Sequence, residues 1–175
     1  MTVPTTLCYL RKDGKVLLQL KHPDLFGGGK WNGPGGKIHP GENPKQSAIR
    51  EVFEETGLKA KGLKEHGILE FYSGNQEMEG ARGAFSPRKV PDIRVHVFSA
   101  RDFSGRLRHS KEGPLEWIPE SKIPYESMWE DDRIWMPLML EGKKFRGRFW
   151  FGRDFKGLVR HKLEEIRFTA PSHKS

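Results

Sequence analysis

Residues Gly35–Leu58 read GGKIHPGENPKQSAIREVFEETGL, and the punctuation of this stretch sets its local fold. Asn43 stands as a helix N-cap, Pro44 takes the first helical position, Gln46 completes a capping-box pattern, and Gly57 falls where a left-handed stop belongs. The spacing predicts a helix over Pro44–Thr56. At 100° per residue Glu51, Glu54 and Glu55 fall within an arc of about 100°, with Ile49, Val52 and Phe53 expected on the opposite, inward side. Carboxylates at i,i+3 and i,i+4 repel, and in the C-terminal half of a helix they also face the negative end of its dipole. A solvated acidic face is one resolution of that conflict. A hard divalent cation is the other, because clustered carboxylates, waters and a substrate phosphate make the usual Mg²⁺ site. Such an ion bridges phosphate oxygens and acidifies an attacking water.

Upstream, the apolar runs Thr5–Leu10 and Lys15–Lys21 flank Asp13-Gly14 and read as a hairpin. The glycine-rich stretch from Phe26 to Gly41 reads as a loop that lets backbone approach the helix closely. Downstream, Gly67–Tyr72, Ile93–Ala100, Leu115–Ile118, Lys144–Phe151 and Leu158–Phe168 have strand composition, and Asp132–Leu140 reads as a second helix containing Pro137. The polar stretch Ser73–Pro91 is expected to be a mobile insert. Strands interleaved with two helices predict an α/β domain, a mixed β-sheet flanked by helices, over residues 1–169, with 170–175 as a disordered tail.

Composition bounds the rest. The 175 residues carry 31 Lys plus Arg against 23 Asp plus Glu, a net charge of +8, which draws anions toward the surface. Cys8, the single cysteine, excludes an internal disulfide framework, and a reducing cytoplasmic location is expected. The N-terminus has no basic leader followed by a long apolar run, and no segment is long and apolar enough to predict a membrane span.

The central stretch also fits G-x5-E-x7-R-E-U-x-E-E-x-G-U (U apolar) without a mismatch, at Gly36, Glu42, Arg50, Glu51, Val52, Glu54, Glu55, Gly57 and Leu58. Chance agreement is about 10⁻⁹ per start position. The chain thereby resembles the Nudix hydrolases, which cleave nucleoside diphosphates linked to another moiety. The resemblance implies the Nudix fold, an α/β/α sandwich, and Mg²⁺ or Mn²⁺ as cofactor. It further implies that Arg50 orients the carboxylates, that Glu51, Glu54 and Glu55 act as metal ligands or base, and that Gly36 and Glu112 complete the metal site.

Outside the motif, Phe26, Lys30-Trp31-Asn32-Gly33, Val95–Phe98 and Met128–Asp132 followed by Trp135 and Pro137 are similar to the oxidised-purine nucleoside triphosphatase branch of that family. This likeness implies a purine pocket in which Asn32, Asp131 and Asp132 hydrogen-bond the base, Phe26 and Trp129 pack on it, and Thr6 and Lys21 contribute further contacts. Carboxyl groups that accept when ionised and donate when protonated suit altered purine tautomers. Hydrolysis of 8-oxo-dGTP-like triphosphates to the monophosphate and pyrophosphate, sanitising the nucleotide pool, is the expected function. ADP-ribose, nucleotide sugars, dinucleoside polyphosphates or capped RNA are the alternative substrates, and a non-catalytic nucleotide- or RNA-binding module is the alternative of another class. The insert's Arg82, Arg88 and Lys89 border the inferred pocket and, with the +8 charge, keep the alternative substrates open; a small-molecule nucleotide rather than nucleic acid is the expected partner. The oligomeric state is left open, and His96 is read as structural.

Overall fold

The computed structural model describes residues 1–74 and 90–167 in full, together with the backbone of Met78–Glu79 and Ala84–Phe85. The tail at 170–175, the expected strand end at Phe168, and the core of the 73–91 insert with Arg82, Arg88 and Lys89 lie outside the described residues. The first half contains β1 (Val3–Lys12), β2 (Lys15–Leu20), β3 (Trp31–Asn32), β4 (Gly35–Lys37), α1 (Pro44–Thr56), β5 (Leu58–Lys61), β6 (Lys64–Tyr72), β7 (Met78–Glu79) and β8 (Ala84–Phe85). The second half contains β9 (Ile93–Ala100), β10 (Asp102–Gly105), β11 (Leu115–Pro119), α2 (Asp132–Leu140), β12 (Lys144–Phe151) and β13 (Leu158–Ile166).

Side chains alternate between two apolar clusters along the central strands. Tyr9 of β1, Val16 and Leu18 of β2, and Val95 and Val97 of β9 enter one; Cys8, Leu10, Leu17, Phe98 and Ala100 enter the other. Period-two alternation with both sets buried requires a sheet covered on both faces. α2 covers the first face with Trp135, Met136 and Met139, and α1 covers the second with Ala48 and Val52. Each fully buried Val, Leu, Phe or Met side chain contributes about 1.5–3 kcal/mol. The sheet runs β11-β2-β1-β9-β6-β12-β13, with β3 on β2 and β4 on β1. It is mixed: β1–β9 and β6–β12 are parallel, and β2, β4, β6 and β13 enter antiparallel pairs. Among the described residues no helix is long and apolar enough to cross a membrane.

α1 spans the expected residues, and its caps explain why. The Asn43 side chain accepts from Gln46 N at 2.8 Å, the Gln46 side chain accepts from Asn43 N at 2.9 Å, and Gly57 at φ 76° donates to Phe53 O. The inward face differs from the expectation. Phe53 is 39% exposed and lies beneath Arg108 and Lys59, whereas Glu55 turns inward at 3% exposure. Cationic partners stabilise an aromatic ring at the surface, which hydrophobicity alone does not anticipate.

The glycine-rich stretch is also more ordered than a loop, since β3 and β4 pair with β2 and β1 inside it. A Cβ at Gly35 would stand 2.0 Å from Thr6 O, so glycine is what admits β4 to this edge of β1. β6 starts at Lys64 rather than Gly67, and the β5–β10 pair is additional to the expected strands.

Candidate active site

α1 and β4 bring the motif residues into contact. A Cβ on Gly36 would meet the Glu51 carboxyl carbon at 2.6 Å, so the β4 backbone lies directly against that carboxylate. Arg50 ties the acidic groups together. Its Nε and Nη2 donate to Glu42 at 2.6 and 3.0 Å, and its Nη1 donates to Glu51 at 2.7 Å and to Glu54 at 3.2 Å. Nη2 also donates to Lys37 O at 3.0 Å, anchoring the helix to the glycine-rich segment. The Arg50 hydrogen bonds, with the His39 N–H, hold the Glu42 carboxyl down at about 2.

Glu55 has a different environment from the other two helix glutamates. Its carboxylate oxygens are both buried and have no hydrogen-bond partner among the described residues. Burial pushes its pKa up to about 8, against the opposing pull of Lys21 and with added repulsion from Glu112 and Glu51. Lys21 Nζ lies 4.0 Å from Glu55 Oε1 and also contacts Glu112 Oε2. A buried, unsatisfied carboxylate beside two further carboxylates is a donor set suited to a hard divalent cation. Among the described residues no three His, Cys, Asp or Glu side chains stand close enough to cage an ion as placed, because Arg50 and Lys21 stand between the carboxylates. Glu54 is exposed, and Glu51 is nearly buried.

From Glu51 a cavity of about 700 Å³ opens toward the α2 side of the sheet. Its lining includes all seven residues expected to bind substrate, Thr6, Lys21, Phe26, Asn32, Trp129, Asp131 and Asp132, along with Gly36, Glu51 and Glu112. Arg50, Glu54 and Glu55 lie outside the lining. Arg50 binds carboxylates, and Glu55 stands behind Lys21. Thr6 is 1% exposed with an unpartnered Oγ1, and Asn32 Oδ1 accepts from Tyr9 Oη at 3.3 Å and Gly33 N at 2.9 Å. The donor end of the Asn32 amide is thus the end left for a ligand.

Asp131 and Asp132 are 3% and 2% exposed at the start of α2. Neither acts as a side-chain N-cap of the helix. Asp131 Oδ2 accepts from Trp135 Nε1 at 2.8 Å, and Asp132 Oδ2 accepts from Trp129 N at 3.1 Å. Burial raises both carboxyls, and the Asp131 charge raises Asp132 further. Two adjacent buried carboxyls resist losing both protons, so the pair presents donor as well as acceptor character near neutral pH. The Trp129 ring packs against Phe26 with centroids 5.3 Å apart, and Lys30 Nζ lies 5.4 Å from its centroid.

The cavity also exposes residues that sequence reasoning did not assign to it. Leu25, Phe71, Ile93, Val95, Trp135, Phe151 and Phe155 join Val3 and Leu7 in its apolar walls. Phe71 and Val95 reach it by strand alternation, whereas Leu25 and Phe155 sit in loops with no periodic signal. His96 is outside the lining and faces Glu65 at 3.7 Å.

A sheet sandwiched by helices, with a glycine-strand–helix element presenting glutamates to a cavity, defines the class. Residues 1–139 match the NUDIX domain, and the chain belongs to the Nudix family. Members of this family generally use divalent metal ions. The chain is 39% identical over 163 residues to the oxidized purine nucleoside triphosphate hydrolase of Danio rerio, covering 92% of this chain and 94% of that protein. It is 35% identical over 162 residues to the Mus musculus protein of the same name, again covering 92% and 94%. A solved structure of the MutT protein from Bacillus halodurans matches with a TM-score of 0.75 at 26% identity, covering 93% of this chain and 97% of that one.

Proposed function

We propose that this protein is a Mg²⁺-dependent hydrolase of purine nucleoside triphosphates, with oxidised purines such as 8-oxo-dGTP as preferred substrates and the monophosphate and pyrophosphate as products. The observation that carries this reading is that one cavity joins Glu51 of the motif helix to the buried Asp131–Asp132 pair. Phosphates belong at the first end and a base at the second. Relatives named as oxidized purine nucleoside triphosphate hydrolases, covered over 94% of their own length, support it.

Gly36, Glu51, Glu54, Glu55 and Glu112 are the residues that would hold Mg²⁺, or Mn²⁺ with the same oxygen donors, and the ion supplies positive charge for phosphate oxygens and a lowered pKa for water. The geometry supports the following roles for the protein's own residues. Arg50 fixes the carboxylates of Glu42, Glu51 and Glu54 in one arrangement, and one of the motif glutamates takes the proton of the attacking water. Lys21 adds an ammonium on the phosphate side of the cavity. At the far end, Asn32 donates, and the Asp131–Asp132 pair accepts and donates, matching the mixed donor–acceptor edge of an oxidised purine. Trp129 and Phe26 supply ring surface for the base.

Product analysis tests the reaction. Digestion of 8-oxo-dGTP with Mg²⁺ is expected to release 8-oxo-dGMP and pyrophosphate in equal amounts. Formation of the nucleoside diphosphate with inorganic phosphate would refute the assigned bond cleavage.

A further inference from the structure

Asp154 and Phe155 both adopt positive φ, at 56° each, in the turn between β12 and β13. Aspartate tolerates the left-handed region, but a phenylalanine there is an outlier that persists only where its surroundings impose it. The constraints are visible. Phe155 N donates to Ser73 Oγ at 3.4 Å, and Gly152 N closes the turn onto Gly157 O at 2.9 Å. At the far end of the turn, Leu158 N donates to Glu130 Oε2 at 2.8 Å. Glu130 lies between Trp129 and Asp131, so the turn is fastened to the segment that supplies the base end of the cavity.

The consequence of the strained backbone is the placement of one ring. Phe155 is half-buried, lines the cavity, meets Phe26 edge-on with centroids 5.7 Å apart, and packs tilted on Phe151 at 6.1 Å. Phe26 in turn packs on Trp129. Were Phe155 only filling core, an ordinary backbone conformation with any apolar side chain would serve. Held in this turn, the ring stands in the cavity lining beside Phe26 and Phe151, both of which pack on Trp129 of the segment that carries Asp131 and Asp132.

We infer that Phe155 is a base-contacting specificity residue, whose ring meets a purine beside Phe26 and Trp129; this rests on the purine-pocket reading above. Its role is binding through ring contact with the base, so it acts on affinity and discrimination and leaves the phosphate end untouched.

The test is calorimetric titration of wild type, Phe155→Asn and Phe155→Leu with dGMP, with 8-oxo-dGMP and with 2-deoxyribose 5-phosphate, which lacks the base. Asparagine accepts the left-handed backbone without a ring, and leucine keeps apolar bulk without a ring. Wild type is expected to bind dGMP more tightly than the sugar phosphate. Phe155→Asn should weaken dGMP about tenfold or more, with Phe155→Leu between, while sugar phosphate binding stays within about twofold. For 8-oxo-dGTP the loss should fall on KM rather than kcat. Variants that bind dGMP and 8-oxo-dGMP as wild type does would overturn the role of Phe155 and leave the pocket standing. If wild type distinguishes neither dGMP nor 8-oxo-dGMP from the sugar phosphate, the pocket reading falls and takes this inference with it. Should Phe155→Asn fail to fold, the leucine variant decides the matter alone.

Discussion

Arg50 grips Glu42 through two parallel hydrogen bonds, Nε to Oε1 at 2.6 Å and Nη2 to Oε2 at 3.0 Å, and spends its remaining nitrogen on Glu51 and Glu54. One planar cation therefore sets the positions of three carboxylates. A lysine has the charge without the fork, so Arg50→Lys is expected to lower kcat by about 10–100-fold with the fold retained. Steady-state kinetics beside circular dichroism checks this, and unchanged kcat would contradict it. The Glu42 carboxyl sits at about 2 when folded against 4.5 when unperturbed, so the stability that this pair contributes is present above about 4.5 and is lost as pH falls toward 2. Arg50→Lys should accordingly flatten the acid limb of the stability profile.

Glu55 has the opposite sign. Its folded pKa is raised from 4.5 to about 8, so its contribution is intact at low pH and is lost as pH rises from about 4.5 through about 8. In chelator-treated protein Glu55→Gln should raise Tm at pH 9 by at least about 4 °C and change it little at pH 5. The same variant should lower kcat by at least about 100-fold. Thermal melts across pH that are parallel for wild type and variant would contradict the assignment.

The two buried aspartates make a prediction about selectivity rather than rate. With Asp132 raised well above its ordinary value by burial and by Asp131, asparagine resembles the neutral form and should leave Tm within about 3 °C at pH 7. It cannot exchange a proton, so the ratio of kcat/KM for 8-oxo-dGTP to that for 2-hydroxy-dATP should change by about tenfold or more. Asp131→Asn should also shift the base ranking. An unaltered ranking in both variants would remove the pair from base recognition.

Trp135 is fully buried, and its indole N–H supplies the 2.8 Å hydrogen bond to Asp131 Oδ2. Trp135→Phe removes that donor and leaves a void, at a cost of about 2–4 kcal/mol. Urea unfolding measures it directly; a loss under about 1 kcal/mol would show that the indole does not support Asp131.

What was legible in the sequence had local chemical punctuation. α1 was readable to the residue because Asn43, Pro44, Gln46 and Gly57 act within a few positions of one another. Central strands were readable from alternation, though the start of β6 at Lys64 was hidden by its charged first turn of sequence. Two things were not legible. Phe53 and Glu55 exchange their expected environments because Arg108 and Lys59 come from distant segments, and the lysine that neighbours Glu55 comes from the end of β2. The cavity lining likewise depends on Phe155, whose position is set by Ser73 and Glu130, 82 and 25 residues upstream. Long-range contacts of that kind leave no period or spacing in a single sequence. The seven residues expected to bind substrate, all of which line the cavity, were named from their resemblance to a family branch, and hydrophobic pattern alone would have left Trp129, Asp131 and Asp132 as an ordinary helix start.

The most direct measurement is kcat/KM with Mg²⁺ across 8-oxo-dGTP, 2-hydroxy-dATP, dGTP, ATP, ADP-ribose, a nucleotide sugar and a diadenosine polyphosphate. An oxidised purine triphosphate should lead the panel by about tenfold or more, as a buried donor–acceptor pair at the base end requires. A clear lead for ADP-ribose or a dinucleotide would keep the hydrolase and contradict the purine pocket, and no turnover of any member would contradict the enzyme itself.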